Sequence, residues 1–467
     1  MTEDVQRKRR VAVVVLGDFG HSPRMNYHAL SLAKERIEVD VVAYGGSQPG
    51  QEVLSNPHIH LHLMRDPPSF QKYVPRLLAY ALKVLWQSLA LFFSLMFLSK
   101  PSHILVQNPP SIPTLPVSWF CCILRGSLLV VDWHNYGYSI LALALGPGHL
   151  LVHTCHWCEK TFGKKAASAF CVSQAMQEDL KSNWGVQAAV LYDKPSSAFQ
   201  PTGTDERHSL FQRLAAEYPE LARTGDAPDA EAIGGNIFTE AAPDSGAVTL
   251  RSDRPALIVS STSWTEDEDF SVLLDALKKY DVRKEAGDSG LPDLFCVITG
   301  KGPQKEHYLS LIRNNPLTHV KFLTPWLSAQ DYPKMLGRPM QTMLVGRRGS
   351  QLDAIVFMIA PPTSACVCHT SSSKLDLPMK VVDMFGCGLP VCAVDYPCLR
   401  ELVKPGETGL VFETSSELCQ HICELLQGFP EPTKLLDSFR ANVHKWQAVR
   451  WDDNWRTVAM PKFRGDL

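Results

Sequence analysis

Lys380 and Asp383 lie one helical turn apart in Leu377-Pro378-Met379-Lys380-Val381-Val382-Asp383-Met384-Phe385-Gly386, between a polar run, His369 to Asp376, and Gly388-Leu389-Pro390-Val391. That order reads as a polar loop, a helix and a return into a strand. A helix N-terminus offers unpaired N–H groups and a partial positive charge to a diphosphate, Lys380 adds a full charge, and Asp383 is placed to accept from ribose hydroxyls. Sugar-nucleotide sites are often built this way; the competing reading is an ordinary helix of an α/β domain. Gly300-x-Gly302 supplies a second loop suited to phosphate, although a plain tight turn accounts for two glycines equally well. Two clusters have metal-ligand residue types, Cys155-His156-Trp157-Cys158 and Cys366-Val367-Cys368-His369, but neither has a partner pair at zinc spacing. No metal site is expected.

These residues need a scaffold, and the chain is long enough for two cores: 467 residues, 45% hydrophobic and 20% charged. Its 46 basic and 48 acidic side chains nearly cancel, which argues against a nucleic-acid partner and for a small molecule or a neutral surface. Thirteen cysteines scattered through apolar runs indicate a reducing compartment.

Strand-like runs at Val11 to Leu16, Val39 to Tyr44, Ile59 to Leu63, His103 to Gln107, Leu128 to Asp132 and Ala169 to Val172 alternate with helical patterns, which predicts a doubly wound parallel sheet. A second set, Ala256 to Ser260, Leu294 to Thr299, Val320 to Leu323 and Pro390 to Val394, predicts another. Ligands of such sheets sit at the carboxyl ends of the strands. There the chain places the polar loops Gly17 to Arg24, Gln107 to Pro110 and Asp132 to Gly137, then Ser260 to Thr265, Gly300 to Pro303 and the run at Thr370. Residues 200–253 are rich in Glu, Asp, Ala, Gly and Pro and read as a mobile, variable insertion or interdomain connector. Leu77 to Leu98 is long enough to cross a bilayer but carries Lys83 and Gln87 and stands between two strands of one expected sheet. It is therefore expected to be buried or to lie with an apolar face in a membrane interface. Arg7-Lys8-Arg9-Arg10 precedes a run too short for a signal peptide or a span.

Gly17-Asp18-Phe19-Gly20-His21-Ser22-Pro23-Arg24-Met25, Gln107-Asn108-Pro109-Pro110, Asp132 to Ser139, Tyr192-Asp193-Lys194-Pro195, Ser260 to Phe270 and Ile298 to Pro303, in this order over nearly the whole chain, resemble the chitobiosyldiphosphodolichol β-mannosyltransferases. The resemblance implies an α/β fold of two Rossmann-like doubly wound domains facing across a cleft, the GT-B architecture. It implies residues 1–199 as the acceptor domain, 254–430 as the GDP-sugar donor domain, and 431–467 as a helical tail packing back on the first domain. The implied activity is transfer of mannose from GDP-mannose to dolichyl-diphosphate chitobiose, forming a β-1,4 bond in N-glycan precursor assembly at the cytosolic face of the endoplasmic reticulum membrane. Other mannosyltransferases of the pathway are implied as partners.

On this resemblance the donor side maps onto Ser261, Thr262, Gly300, Gly302, Lys380 and Asp383, and the acceptor side onto Gly17, Gly20, Arg24 and Tyr136. Inversion at the sugar in a single displacement needs a base for the acceptor hydroxyl and neutralisation of the departing diphosphate. Asp132, His134, Asp18 and His21 are the base candidates, with His134 or Asp132 favoured and a capping role for the acid as the alternative. The fold requires no cofactor; a divalent cation such as Mg held by Asp376 and Asp383 stays open.

Three features depart from the family. Residues 338–363 interrupt the donor domain, the strand Ala365 to His369 lacks the usual acid, and the family's usual amino-terminal membrane anchor is not seen. Two alternatives follow: a transferase using another sugar nucleotide, and a catalytically impaired scaffold of the same family.

Overall fold

The computed structural model describes residues 9–222, 235–242, 244–262, 264, 269–288, 290–328, 330–337, 364–367 and 373–464. The anomalous 338–363 segment, the polar run at Thr370 and Arg7-Lys8 lie outside them. The chain forms two units, one from the described part of Met1–Asp193 with Ser372–Leu377 and Trp451–Leu467, the other from Lys194–Ser371 and Pro378–Arg450.

The first unit is built on a seven-stranded sheet: β1 (Arg10–Asp18), β2 (Glu38–Tyr44), β3 (Ile59–Met64), β4 (His103–Asn108), β5 (Leu128–Trp133), β6 (Ser168–Cys171) and β7 (Ala188–Val190). The spatial order is β3-β2-β1-β4-β5-β6-β7, and every pairing is parallel. Val11 to Val15 are at most 2% exposed, because helices cover both faces of a parallel sheet and a central strand needs no polar side. Chain order reverses between β1 and β4, so the loops following these strands and the neighbouring β5 form the expected ligand edge. Trp451, Trp455, Met460 and Phe463, from the helices Trp451–Val458 and Met460–Arg464, join Val13, Val41 and Phe170 in the core on one face.

The second unit carries β10 (Ala256–Ser261), β11 (Leu294–Thr299), β12 (Val320–Leu323), β13 (Ser364–Val367), β14 (Val391–Val394) and β15 (Gly409–Phe412) after a small antiparallel pair, β8 (Thr239–Ala241) and β9 (Val248–Leu250). Its parallel order β12-β11-β10-β13-β14-β15 reverses between β10 and β13. The described part of 200–253 is not the loose connector its composition suggests. Helix Thr204–Glu217 buries Leu210, Phe211 and Leu214, and Phe211 meets Phe238, which in turn meets Phe295 of β11 edge-on at 5.6 Å. The chain passes between the units at Arg450/Trp451 rather than at 431. Helix Lys434–Trp446 places Leu436 and Phe439 in the second core, and Gln447 Nε2 donates to the carbonyls of Phe385 and Gly386 at 2.7 Å each.

Candidate active site

In the first unit, helix Pro23–Lys34 starts with proline where a missing N–H costs nothing. Arg24 and His28, four residues apart, share one face of that helix. Both face Asp132 near the end of β5. Arg24 Nε donates to Asp132 Oδ2 at 2.8 Å and Nη2 to Oδ1 at 2.9 Å, a two-pronged pair. Its Nη1 donates to Asp193 Oδ1 at 2.7 Å and to the Leu191 carbonyl at 2.8 Å. His28 Nε2 lies 3.0 Å and His134 Nε2 2.8 Å from Asp132 Oδ2. Four donors therefore converge on a carboxylate that is 0% exposed.

The protons follow from the partners. Trp455 Nε1, which can only donate, lies 2.9 Å from His28 Nδ1, so that nitrogen is bare and Nε2–H points to Asp132. Burial pushes the His28 pKa down, outweighing the Asp132 contact, so this ring is neutral. Burial alone would raise the Asp132 pKa, but the Arg24 charge and the bonds from His134 and His28 hold it well below the usual carboxylate range. An ionised Asp132 accepts from His134 Nε2–H, which leaves Nδ1 as the other ring nitrogen of a side chain 22% exposed.

A second imidazole–carboxylate pair follows β1. His21 Nδ1 lies 2.6 Å from Asp18 Oδ2 on a 75% exposed side chain, and Asp18 also accepts from the backbone N–H groups of Gly20 and Ser47, both at 2.9 Å. Burial raises the Asp18 pKa, and the bonds from Ser47, His21 and Gly20 together outweigh it and lower it. Gly20 is required sterically, since a Cβ there would sit 2.3 Å from the Ser47 carbonyl oxygen; at Gly17 it would meet only Val15 Cγ1, at 4.0 Å.

Two side chains expected to touch the acceptor are instead internal. Tyr136 is 1% exposed, stacks on Trp184 at 4.7 Å and donates its hydroxyl to Asp179 at 2.6 Å. Arg24, 4% exposed, is committed to Asp132, Asp193 and the Leu191 carbonyl. Asp132, favoured as a base beside His134, has both oxygens occupied and no surface, so it cannot collect a proton from a substrate. Below the loop that carries His134, Glu159 accepts from Asn108 Nδ2 at 2.9 Å and from the backbone N–H groups of Gly137 at 2.7 Å and Tyr138 at 3.3 Å. Burial pushes its pKa up to about 7 against these bonds. His28, Asp193, Glu159 and Trp455 were missed as members of this site. The Arg24–His28 spacing was the available signal for one; nothing local points to Trp455.

In the second unit, Ser261 ends β10 and Thr262 N donates to Thr299 O at 2.9 Å, joining the two strand-end loops. Gly300 has φ +128°, and a Cβ there would lie 1.8 Å from the Thr262 carbonyl oxygen, so glycine permits this approach. Gly302 is exposed in the same loop, and Lys301 Nζ lies 3.7 Å from the centroid of the Trp326 ring. Lys380 and Asp383 occupy the helix Met379–Gly386 and are half-buried. Tyr332 ties Asp383 to this edge: it shares a hydrogen bond with Ser261, and burial together with the Asp383 charge raises its pKa. Among the described residues no group of three or more His, Cys, Asp or Glu is arranged to hold a metal ion.

Residues 19–191 match the glycosyl transferase 4-like domain family and residues 361–428 the glycosyl transferases group 1 family. Sucrose-phosphate synthase from Thermosynechococcus elongatus superposes with a TM-score of 0.62 at 14% identity, with 98% of each chain covered. The chain is 46% identical over 457 residues to the mouse chitobiosyldiphosphodolichol β-mannosyltransferase, covering 97% of this chain and 89% of the relative. It is 43% identical to the Arabidopsis thaliana UDP-glycosyltransferase TURAN, covering 97% of both. Two doubly wound parallel sheets with polar loops at their strand ends, and these matches, define a glycosyltransferase of the GT-B class. Within that class, the chain belongs to the chitobiosyldiphosphodolichol β-mannosyltransferase family.

Proposed function

We propose that this enzyme transfers mannose from GDP-mannose to dolichyl-diphosphate chitobiose with inversion, forming a β-1,4 bond at the cytosolic face of the endoplasmic reticulum membrane. The observation that supports it most is the relationship to the mouse mannosyltransferase, which runs through 97% of the chain. The chemistry fits the residues. The acceptor oxygen attacks the anomeric carbon as the bond to the diphosphate breaks, and its proton passes to His134 Nδ1. Asp132 is the positioning residue: it holds the His134 tautomer and stabilises the imidazolium that forms. Arg24, His28 and Trp455 keep Asp132 ionised and oriented. His21, paired with Asp18, is the second candidate for the base. In the other unit, Lys380 and the backbone N–H groups around Gly300 and Gly302 neutralise the departing diphosphate, Asp383 reads the ribose, and Ser261 and Thr262 line the same edge.

A second reading, with a UDP-sugar as donor, is favoured by the name of the Arabidopsis relative. Purified protein given phytanyl-diphosphate chitobiose with GDP-mannose or UDP-sugars separates the two. A β-mannosidase-sensitive product from GDP-mannose alone supports the first; transfer from a UDP-sugar alone, or none from either, overturns it.

A further inference from the structure

The loop that carries His134 hangs from two buried side chains. The backbone N–H of His134 donates to the Asn108 carbonyl at 2.9 Å, one residue past the last pairing of β4 with β5. Asn108 then turns its amide along the same loop, and Nδ2 donates to the Asn135 carbonyl at 3.2 Å and to Glu159 Oε1 at 2.9 Å. Glu159 takes the next backbone donors, Gly137 at 2.7 Å and Tyr138 at 3.3 Å. Those two N–H groups open helix Gly137–Leu145, which has no capping side chain and no acid in its first turn. Its orphan donors are therefore met from outside, by a carboxylate placed at the positive end of the helix. Gly137 permits the approach, since a Cβ there would sit 3.1 Å from Glu159 Oε1 and 3.3 Å from Cys155 Sγ.

Filling space does not account for an acid at this point. Glu159 reaches it from helix Leu150–Gly163 and is fully buried. The ionisable groups facing it are Cys155 and Cys158 from its own helix and Tyr136 and Tyr138 from the loop and its helix. Burial pushes all four pKa values up, so each is neutral at pH 7 and none gives the carboxylate a counter-charge. An apolar side chain of similar volume would avoid that desolvation. What the carboxylate supplies instead is acceptors: every hydrogen bond described above brings it a donor. A proton on Glu159 needs an acceptor in turn, and Asn108 Oδ1 is buried and accepts no hydrogen bond from the described residues. To present that oxygen the Asn108 amide must turn over, which takes Nδ2 off the Asn135 carbonyl, next to His134.

We propose that Glu159 is a positioning residue for the transfer. As a carboxylate it holds the Asn108 amide and the start of helix Gly137–Leu145 in the arrangement that presents His134 to the acceptor hydroxyl, and on taking a proton it releases that arrangement. The inference rests on the reading of His134 as the base.

The test is transfer from GDP-mannose to phytanyl-diphosphate chitobiose by the full chain, measured across pH. Glu159→Leu should lower kcat about 10²-fold, the cost of a small misplacement of a catalytic group, and leave the KM for GDP-mannose unchanged, because the donor residues belong to the other unit. Glu159→Gln keeps one acceptor oxygen for Asn108 and Gly137, so it should fold and lose less. Its acid limb of log kcat against pH should be about one unit shallower than that of the wild type, since the group titrating at about 7 is gone. In a His134→Ala background Glu159→Leu should cost nothing further, as expected of groups that act as a unit; a general folding defect would still multiply the loss. Near-normal kcat in Glu159→Leu, an additional loss on top of His134→Ala, or an unaltered acid limb in Glu159→Gln would overturn the proposal while leaving the base assignment standing. Near-normal turnover of His134→Ala alone would instead overturn that assignment and the proposal with it.

Discussion

Replacing Asp132 by Asn separates a positioning carboxylate from a mere core contact. Asn is nearly the same size but offers one acceptor oxygen, and its NH2 must confront donors, because Arg24 Nε and Nη2, His28 Nε2 and His134 Nε2 all point at this group. Breaking a buried ion pair by removing one partner costs about 3–5 kcal/mol. Asp193 keeps part of the Arg24 charge satisfied, which argues for the lower end. For a unit of this size each kcal/mol moves Tm by about 2–4 °C, so a fall of about 6–12 °C is expected by calorimetry. Turnover measured well below that Tm should fall by about 10²–10⁴, because His134 loses the partner that holds its tautomer. His134→Ala should lose similar turnover but only about 1 kcal/mol of stability, since Asp132 retains three donors and the ring is partly exposed. The double variant should be no slower than the worse single variant, as expected of groups acting as a unit. A Tm for Asp132→Asn within about 2 °C of wild type would refute the buried-pair reasoning. Near-normal turnover in both single variants would remove the pair from the mechanism.

Three further outcomes follow from the same physics. Trp455→Phe removes the Nε1–H donor to His28 Nδ1 and should lower stability by about 1–3 kcal/mol, read as Tm; an unchanged Tm would detach the C-terminal helix from the Asp132 network. Gly300→Ala forces a Cβ toward the Thr262 carbonyl from φ +128° and should raise the KM for the sugar nucleotide or unfold the second unit; unaltered kinetics and Tm would show that the loop relaxes freely. The pKa of Glu159 is raised to about 7 in the fold against an ordinary 4.5, so the folded state holds the extra proton. Its stabilisation is complete below about pH 4.5 and is lost as pH rises through 7. The wild-type stability relative to Glu159→Gln should therefore decline by about 3 kcal/mol across that window; a pH-independent difference would count against the raised pKa.

The two sheets were readable in the sequence because parallel strands buried on both faces leave continuous apolar runs, as at Val11 to Leu16 and Leu294 to Thr299, and because polar loops must interrupt them at the ligand edge. The short edge strands β7 and β15 escaped notice, since three or four residues carry too little periodicity to be distinguished from loop. In the described part of residues 200–253 composition weights the many polar residues and overlooks that Phe211 and Phe238 are enough to pin a helix and a hairpin.

Sequence alone determined which residue types stand at or just past the strand ends, among them Asp18, His21, Asp132, His134, Ser261 and Gly300, and put Lys380 at the start of a helix, since chain order places each there. Only the tertiary structure decided what each could do. In the sequence Asp132 and His134 are equally plausible bases, two residues apart. The fold buries the first beneath Arg24, His28 and, through His28, Trp455, and leaves the second partly exposed with one nitrogen anchored on Asp132. Those partners lie 108, 104 and 323 positions from Asp132, contacts that local pattern cannot encode because they arise from which face of a helix or sheet meets another. Protonation state is a property of that assembled environment, so which of the two groups could take up a proton depends on it.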